Sequence, residues 1–317
     1  MSNFIERTEE KLKQNFTKAG RAVKKRIISA RPILQFVKSA TGRKLALKAP
    51  EVSGFFSCCS IKISGLSWYL EKYGKLPREL SCEEMLKPYK PYDSQEEAET
   101  YDAFSVYFEA SSPANDIQLS YRRIANNHYD YFLYYQYAQY NQLDFTRFLG
   151  LRDQFFSPNE PVKEFIELFQ RQLSISTDDK KFVGVYYRGT DKEKETTIAE
   201  PELFMAKMHQ LEQQHGKLTF VVQSDVGKFY ELCTNEFENV LSFPETGINQ
   251  SETSGYHFEN SNTKALEKST QALLASFIVL SKLEHLICSS SNGSLWINLY
   301  RNNTNNVHQF LNGEFIG

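Results

Sequence analysis

The sequence predicts an α/β protein whose C-terminal half forms a doubly wound, mostly parallel sheet. Three observations lead there. From about residue 176, four short apolar runs alternate with helical stretches, the pattern of consecutive strand–helix units and of parallel pairing. The helical stretch 201–216 opens with Pro201 and stops at Gly216, the asymmetry of proline just inside a helix start and glycine just past its end. Three of the four apolar runs also end in charged or hydroxyl-bearing residues, which in such a sheet lie along the edge where ligands bind.

A chain of 317 residues has room for about two domains. Charge divides it. Residues 1–49 carry 13 Lys/Arg against 3 Glu, net +10, while the remainder is net −12. We read 1–49 as a basic arm. Leu12, Phe16, Ala19, Val23 and Ile27 recur at spacings of three or four before Pro32 interrupts, giving an amphipathic helix with a Lys/Arg-rich face. Such a helix packs its stripe on the body and leaves its lysines in water, or lies on an anionic membrane surface. Both readings stay open.

Residues 50–175 form the expected N-terminal lobe. In 54–77, "GFFSCCSIKISGLSWYLEKYGKLP", an aromatic and apolar run after Gly54 reads as a strand and loop, and Leu66, Tyr69 and Leu70 as a helix ending near Gly74 and Pro77. The polar, two-proline stretch 87–102 reads as a loop. The tyrosine-dense segment 127–140, "NHYDYFLYYQYAQY", lacks Gly and Pro and reads as a buried helix or helix pair. Its rings suit core packing, and would also suit stacking on sugar faces.

Residues 176–317 form the C-terminal lobe. Strands are expected at 181–189, 217–225, 239–243 and 285–290, and helices at 201–216, 226–237, 262–284 and 292–301. Neither an internal repeat nor a low-complexity tract is present.

Several function classes are set aside. Cys58, Cys59, Cys82, Cys233 and Cys288 are odd in number, scattered and without a CxxC pair, which argues against a disulfide framework or a zinc site and for a reducing compartment. No run approaches the about 18 apolar residues of a membrane span, and the N-terminus lacks the apolar core of a secretory signal. The expectation is a cytoplasmic protein, peripheral on a membrane if the arm binds one, with no nucleic-acid partner. Neither GxxxxGK[ST] nor GxGxxG occurs, so no ATPase P-loop and no dinucleotide cofactor is expected.

The strand ends carry the chemistry. The first is Arg188-Gly189-Thr190-Asp191-Lys192, the second Gln223-Ser224-Asp225, and the last Ser289-Ser290-Ser291-Asn292-Gly293-Ser294. Arginine presents a permanently charged fork that matches phosphate oxygens, and Gly189 lets backbone approach closely. The serine-rich turn opens a helix, where free N–H groups and the helix dipole favour phosphate; Ser291 or Asn292 would serve equally as a plain N-cap. Asp225 suits a ribose or base hydroxyl, or caps the next helix, and Arg188 with Asp191 also fits an ordinary surface pair. Together the three ends point to a nucleotide diphosphate.

"VGVYYRGTDK" (183–192) resembles the first motif of the fucosyltransferase superfamily, a strand followed by His-x-Arg-x-x-Asp. That superfamily includes the protein O-fucosyltransferases, the core alpha-1,6-fucosyltransferases and the rhizobial nodulation fucosyltransferases. "FVVQSD" (220–225) resembles the second motif, and "ALLASFIVLSKLEHLICSSSNGSLWINLYR" (272–301) the third. The resemblance covers about 140 residues of the C-terminal half, with the motifs in the same order. It implies a GT-B fold of two Rossmann-like lobes facing a cleft, with a GDP-sugar, usually GDP-fucose, held by the C-terminal lobe and a glycan or protein acceptor on the other side. It implies donor contacts from Tyr186, Gly189, Thr190, Asp191, Ser224, Asp225, Ser289, Ser290, Ser291, Asn292 and Ser294. Arg188 would bind the diphosphate.

Two departures stand out. Tyr186 occupies the family's usual histidine position, and Glu195, the candidate base, sits one residue earlier than the glutamate of the core enzymes' motif. The implied reaction is inverting transfer, with Arg188 and Lys192 stabilising the departing diphosphate. Neither metal nor cofactor is expected. Two alternatives share these residues: a transferase using another nucleotide sugar, and a catalytically inactive GT-B module that binds a glycan or a partner.

Overall fold

The computed structural model describes residues 44–49, 53–89, 102–110, 132–173, 182–189, 197–247 and 263–317. The amphipathic stripe of the basic arm, together with Thr190, Asp191, Lys192 and Glu195, lies outside the described residues.

The N-terminal half begins with a βαβ unit. Strand β1 (Lys44–Lys48), formed by residues expected to close the arm, pairs in parallel with β2 (Glu79–Glu84), and α1 (Phe55–Tyr73) connects them. Here the sequence reading is corrected. Phe55 to Tyr73 is one continuous helix, with no strand or loop at Phe55–Ser60. Almost every residue from Phe55 to Ser67 is buried, Ser60, Lys62, Ser64 and Ser67 included, so the amino-terminal half of the helix lacks the charged, solvent-facing stripe of an amphipathic helix. The tyrosine-dense segment is likewise no α-helix: it forms two 3-10 turns, Phe132–Tyr137 and Tyr140–Gln142, while 127–131 lie outside the described residues. Helices α2 (Thr146–Phe155) and α3 (Glu160–Leu173) follow.

The C-terminal half runs β3 (Phe182–Tyr187), α4 (Pro201–His215), β4 (Thr219–Ser224), α5 (Gly227–Glu236), β5 (Val240–Ser242), α6 (Lys264–Leu280), β6 (His285–Ser289), α7 (Asn292–Arg301), β7 (Val307–Leu311) and β8 (Glu314–Ile316). The alternation read from the sequence is observed, with α6 shorter than expected: Thr263 caps it by accepting from Leu266 N–H, and it ends at Ser281. The unexpected elements are β7 and β8, an antiparallel hairpin on the edge of the sheet.

These strands form one six-stranded sheet in the order β5-β4-β3-β6-β7-β8, parallel except for β8. Counted from β3, the first five read 3-2-1-4-5, the doubly wound order. All six residues of β3 are buried, as a central parallel strand covered on both faces requires. Its side chains alternate between two cores. Val183, Val185 and Tyr187 join Phe204, Met208, Phe229 and Phe237 under α4 and α5. Phe182 and Tyr186 join the other core, which runs from Leu45 through α1, α2 and α3 to α6, α7 and Val307. The N-terminal elements and the second face of the sheet therefore share one continuous apolar interior. Phe56 stacks on Phe277 at 4.4 Å and Phe132 meets the Trp296 ring at 5.6 Å.

All five cysteines are free and buried. Among the described residues no helix is long and apolar enough to cross a membrane.

Candidate functional site

The register of the sheet aligns the strand ends. Tyr187 lies opposite Ser224, and Tyr186 opposite Cys288, so the segments that follow β3, β4 and β6 emerge side by side. β3 and β6 are also the neighbours at which the winding reverses, the crevice where doubly wound sheets take their ligands.

Arg188 leaves β3 at that crevice. Its backbone N–H donates to Ser289 Oγ at 3.1 Å, a bond that spans the two strands of the switch point. Its Nε lies 3.2 Å from Asp225 Oδ2, with the two side chains 26% and 18% exposed. Gly189 N–H donates to Asp225 Oδ1 at 3.0 Å. Asp225, expected to meet the nucleoside, thus holds both the guanidinium and the backbone of the β3 turn. A Cβ on Gly189 would lie 2.6 Å from Tyr187 Cε1 and 2.9 Å from Val226 Cγ2, so this close turn admits only glycine. Ser224 Oγ accepts from Val226 N–H at 3.0 Å, tying down the entry to α5.

The turn after β6 is a closed network. Ser291 is the N-cap of α7 and forms a capping box with Ser294. Ser294 Oγ donates to Ser289 O at 2.6 Å. Ser290 Oγ donates to Phe310 O at 2.7 Å and accepts from Gln309 Nε2 at 2.8 Å, which fastens it to β7. The hydroxyls expected to touch a ligand are therefore largely committed to shaping the turn. The capping box supplies acceptors to the N–H groups of Ser291 and Ser294. Those of Asn292 and Gly293, the first two residues of the helix, have no intrahelical acceptor.

Tyr186 reaches the same place from below. A Cβ on Gly293 would fall 2.5 Å from its hydroxyl, and the phenol interacts with the side chains of Ser291 and Arg188. Burial raises its pKa above the ordinary tyrosine value, with the Arg188 charge opposing the rise. The group is a neutral hydrogen-bonding phenol at physiological pH, unlike the titrating histidine that the family motif carries there.

Sequence reasoning missed three contributors. Asn292 Nδ2 donates to Ser57 Oγ at 3.1 Å, which brings the first turn of α1 against that of α7. Tyr89 Oη accepts from Phe55 N–H at 2.9 Å at the start of α1. Tyr140 Oη accepts from Ser291 N–H at 3.2 Å and lies 2.8 Å from Ser294 Oγ. Nothing local marks these residues, because they reach the site from 151 to 235 positions away in sequence. Neither first turn contains an acidic residue, so two positive helix ends meet beside the Arg188 guanidinium, whose one described carboxylate partner is Asp225. The arrangement is suited to an anion.

No protein-family model and no curated protein matches the chain. Its structure resembles those of fucosyltransferases. A mutant of Arabidopsis thaliana FUT1 in complex with GDP matches 54% of this chain at 12% identity with a TM-score of 0.33, and the match spans only 36% of that protein. NodZ alpha-1,6-fucosyltransferase co-crystallized with GDP matches 86% of this chain and 93% of its own at 13% identity, TM-score 0.47. NodZ soaked with GDP-fucose matches 81% and 90% at 12% identity, TM-score 0.45.

Proposed function

We propose that this protein is a nucleotide-sugar glycosyltransferase that moves fucose from GDP-fucose to a hydroxyl of a glycan or protein, with inversion and without a metal ion. The observation that carries the reading is the joining of the β3 and β6 ends at the switch point. Arg188 and the first turn of α7 lie on either side of it and are tied by the Arg188 N–H to Ser289 bond. Both present positive charge or free N–H groups toward one place. The motif resemblance over 183–192, 220–225 and 272–301 gives the donor its identity.

In this mechanism the acceptor oxygen attacks the anomeric carbon as the bond to the diphosphate oxygen breaks. The acceptor's proton passes to a base, for which we assign Glu195. Negative charge grows on the leaving diphosphate. Arg188, held in place by Asp225, neutralises it together with Lys192 and the N–H groups of Asn292 and Gly293. Fixed donors aimed at developing charge are the largest single source of rate enhancement in such sites.

The test is titration calorimetry with GDP, GDP-fucose and UDP on the wild type and on Arg188→Ala. The expected result is binding of GDP and GDP-fucose in preference to UDP, weakened at least tenfold by the substitution, about the value of a hydrogen bond to a charged group. Equal affinity in wild type and variant overturns the site. Preference for UDP overturns the donor assignment. GDP-fucose binding with no transfer or donor hydrolysis supports the inactive-module reading instead.

A further inference from the structure

Tyr140, a buried side chain of the N-terminal half, reaches the donor turn, and we infer that it is a positioning residue for diphosphate binding. The inference rests on the glycosyltransferase reading and adds a residue to its site.

Tyr140 is 1% exposed, and its hydroxyl stands in a short directed circuit. Ser294 has one hydroxyl proton and gives it to Ser289 O at 2.6 Å. Ser289 O is the shortest contact of Ser294 Oγ, with Ser291 O further off at 3.1 Å, so we assign Tyr140 as donor in the 2.8 Å contact between the two hydroxyls, its other acceptor being Ser291 O at 3.2 Å. With its proton so placed, Tyr140 Oη accepts from Ser291 N–H at 3.2 Å. The N-cap amide and the hydroxyl of the capping box are therefore both held by one phenol.

A second tether fixes the Tyr140 backbone. Gln309 Oε1 accepts from Tyr140 N–H at 2.8 Å, and Gln309 Nε2 donates both to Ala138 O at 2.9 Å and to Ser290 Oγ at 2.8 Å. Tyr140 and Gln309 thus grip Ser290, Ser291 and Ser294 in turn. The N–H groups of Asn292 and Gly293 that we assign to phosphate are carried by this turn, so their direction depends on it. Ser289, whose carbonyl accepts from Ser294 Oγ, also accepts from Arg188 N–H at its own hydroxyl. The phenol acts on both sides of the switch point through a single serine.

Burial raises the Tyr140 pKa well above the ordinary tyrosine value, while the Ser294 and Ser291 hydrogen bonds oppose the rise. The phenol keeps its proton, and with it the direction of the circuit, throughout the working pH range.

The experiment compares Tyr140→Phe with Tyr300→Phe. Tyr300 is also buried and donates to Phe156 O at 2.9 Å, at the far end of α7. Tyr140→Phe loses two buried hydroxyl bonds and Tyr300→Phe one, so both should lose thermal stability. Only Tyr140→Phe should weaken GDP, by about fivefold, the size of one ordinary hydrogen bond. In GDP-fucose hydrolysis it should lower kcat/KM by at least that factor, because the Asn292 and Gly293 N–H groups meet both the bound diphosphate and the charge that grows on it as it leaves. If Tyr140→Phe fails to fold, Gln309→Met, which removes the second tether, is expected to give the same shift in GDP affinity. Wild-type GDP affinity in a folded Tyr140→Phe, or equal losses in the two tyrosine variants, overturns the inference and leaves the glycosyltransferase reading standing. Absence of GDP binding in the wild type overturns both.

Discussion

Gly293 shows how tightly the site is built at the level of single atoms. A Cβ there would sit 2.5 Å from Tyr186 Oη, 2.9 Å from Cζ and 3.0 Å from Phe277 Cε2. Tyr186 cannot swing aside: it is 5% exposed and its ring meets Phe277 edge-on at 4.9 Å. Gly293→Ala should therefore cost about 1–3 kcal/mol, as overpacking does in a filled interior. Tyr186→Phe removes the closest atom, so the double variant should recover part of the loss. Urea denaturation of the four proteins in the cycle measures this, and simple additivity would show that the two residues do not meet. The sequence made Arg188, Asp225 and the serine turn legible because each ends an apolar run, and a parallel sheet brings such ends to one edge. It did not make legible what they would bond to. Asp225 reads as an acceptor for a ribose or base hydroxyl, or as a cap of the next helix, and it holds Arg188 and Gly189 N–H. Ser291 reads as a ligand contact or a plain N-cap and is the N-cap of α7, and the other serines, read as ligand contacts, are mostly committed to one another, to β7 and to Tyr140. Residue type and strand position are local properties, whereas hydrogen-bond partners are set by segments far away in sequence.

Among elements, α1 and the β7–β8 hairpin escaped the sequence reading for opposite reasons. The start of α1 is enclosed by β1, α7 and the aromatic side chains of Tyr89, Tyr107 and Phe108, so its serines and Lys62 form no exposed face. A short run without alternation cannot be divided between strand and buried helix by its period. Gly65, which would count against a helix, is there because a Cβ would come within 2.6 Å of Leu47 Cδ2. The hairpin, in contrast, carried a signal that went unused. Leu311 pairs with Glu314 across Asn312-Gly313, and both central residues have positive φ, 56° and 101°, the conformation of a type I′ turn. Nothing lies within 4 Å of a Cβ built on Gly313, so any cost of a side chain there is backbone strain alone. Gly313→Ala should destabilise the protein by about 1–2 kcal/mol, measurable by chemical denaturation. Asn312→Gly, which also suits the turn, should be nearly neutral, and a loss at Asn312 as large as that at Gly313 would contradict the assigned turn.

At the scale of the molecule, the sequence implied two lobes, and the described residues share a core across them. Every residue of α7 from Asn292 to Tyr300 is buried, and much of what covers them comes from α1, α2 and the 132–142 segment. Residues 176–317 alone would uncover Trp296, Leu295 and Leu299, all 0% exposed. That fragment should bind a hydrophobic dye and melt without a cooperative transition, whereas a cooperative melt of the fragment would refute the shared core. The opposite end of the sheet sets a pH limit on the same fold. His215, His285 and His308 line up there, with ring centroids 4.7 Å and 6.0 Å apart. Burial lowers the pKa of His285, with the His215 charge adding to the effect; Glu284 opposes it and Arg301 reinforces it. Burial also lowers His308, its bond to Gly317 O opposes, and Lys207, His285 and His215 reinforce. Both are therefore neutral in the folded protein at pH values where the unfolded chain has begun to bind protons. The difference in bound protons makes stability fall as pH drops below about 6.5, the unfolded value. The fall continues through the lowered folded pKa values and levels off beneath them. Above about pH 7.5 these two groups contribute no slope. Melting temperature measured from pH 8 to pH 5 should decline more steeply in the wild type than in His285→Gln/His308→Gln, which cannot take up those protons. Parallel curves for the two proteins would show that the acid sensitivity arises elsewhere.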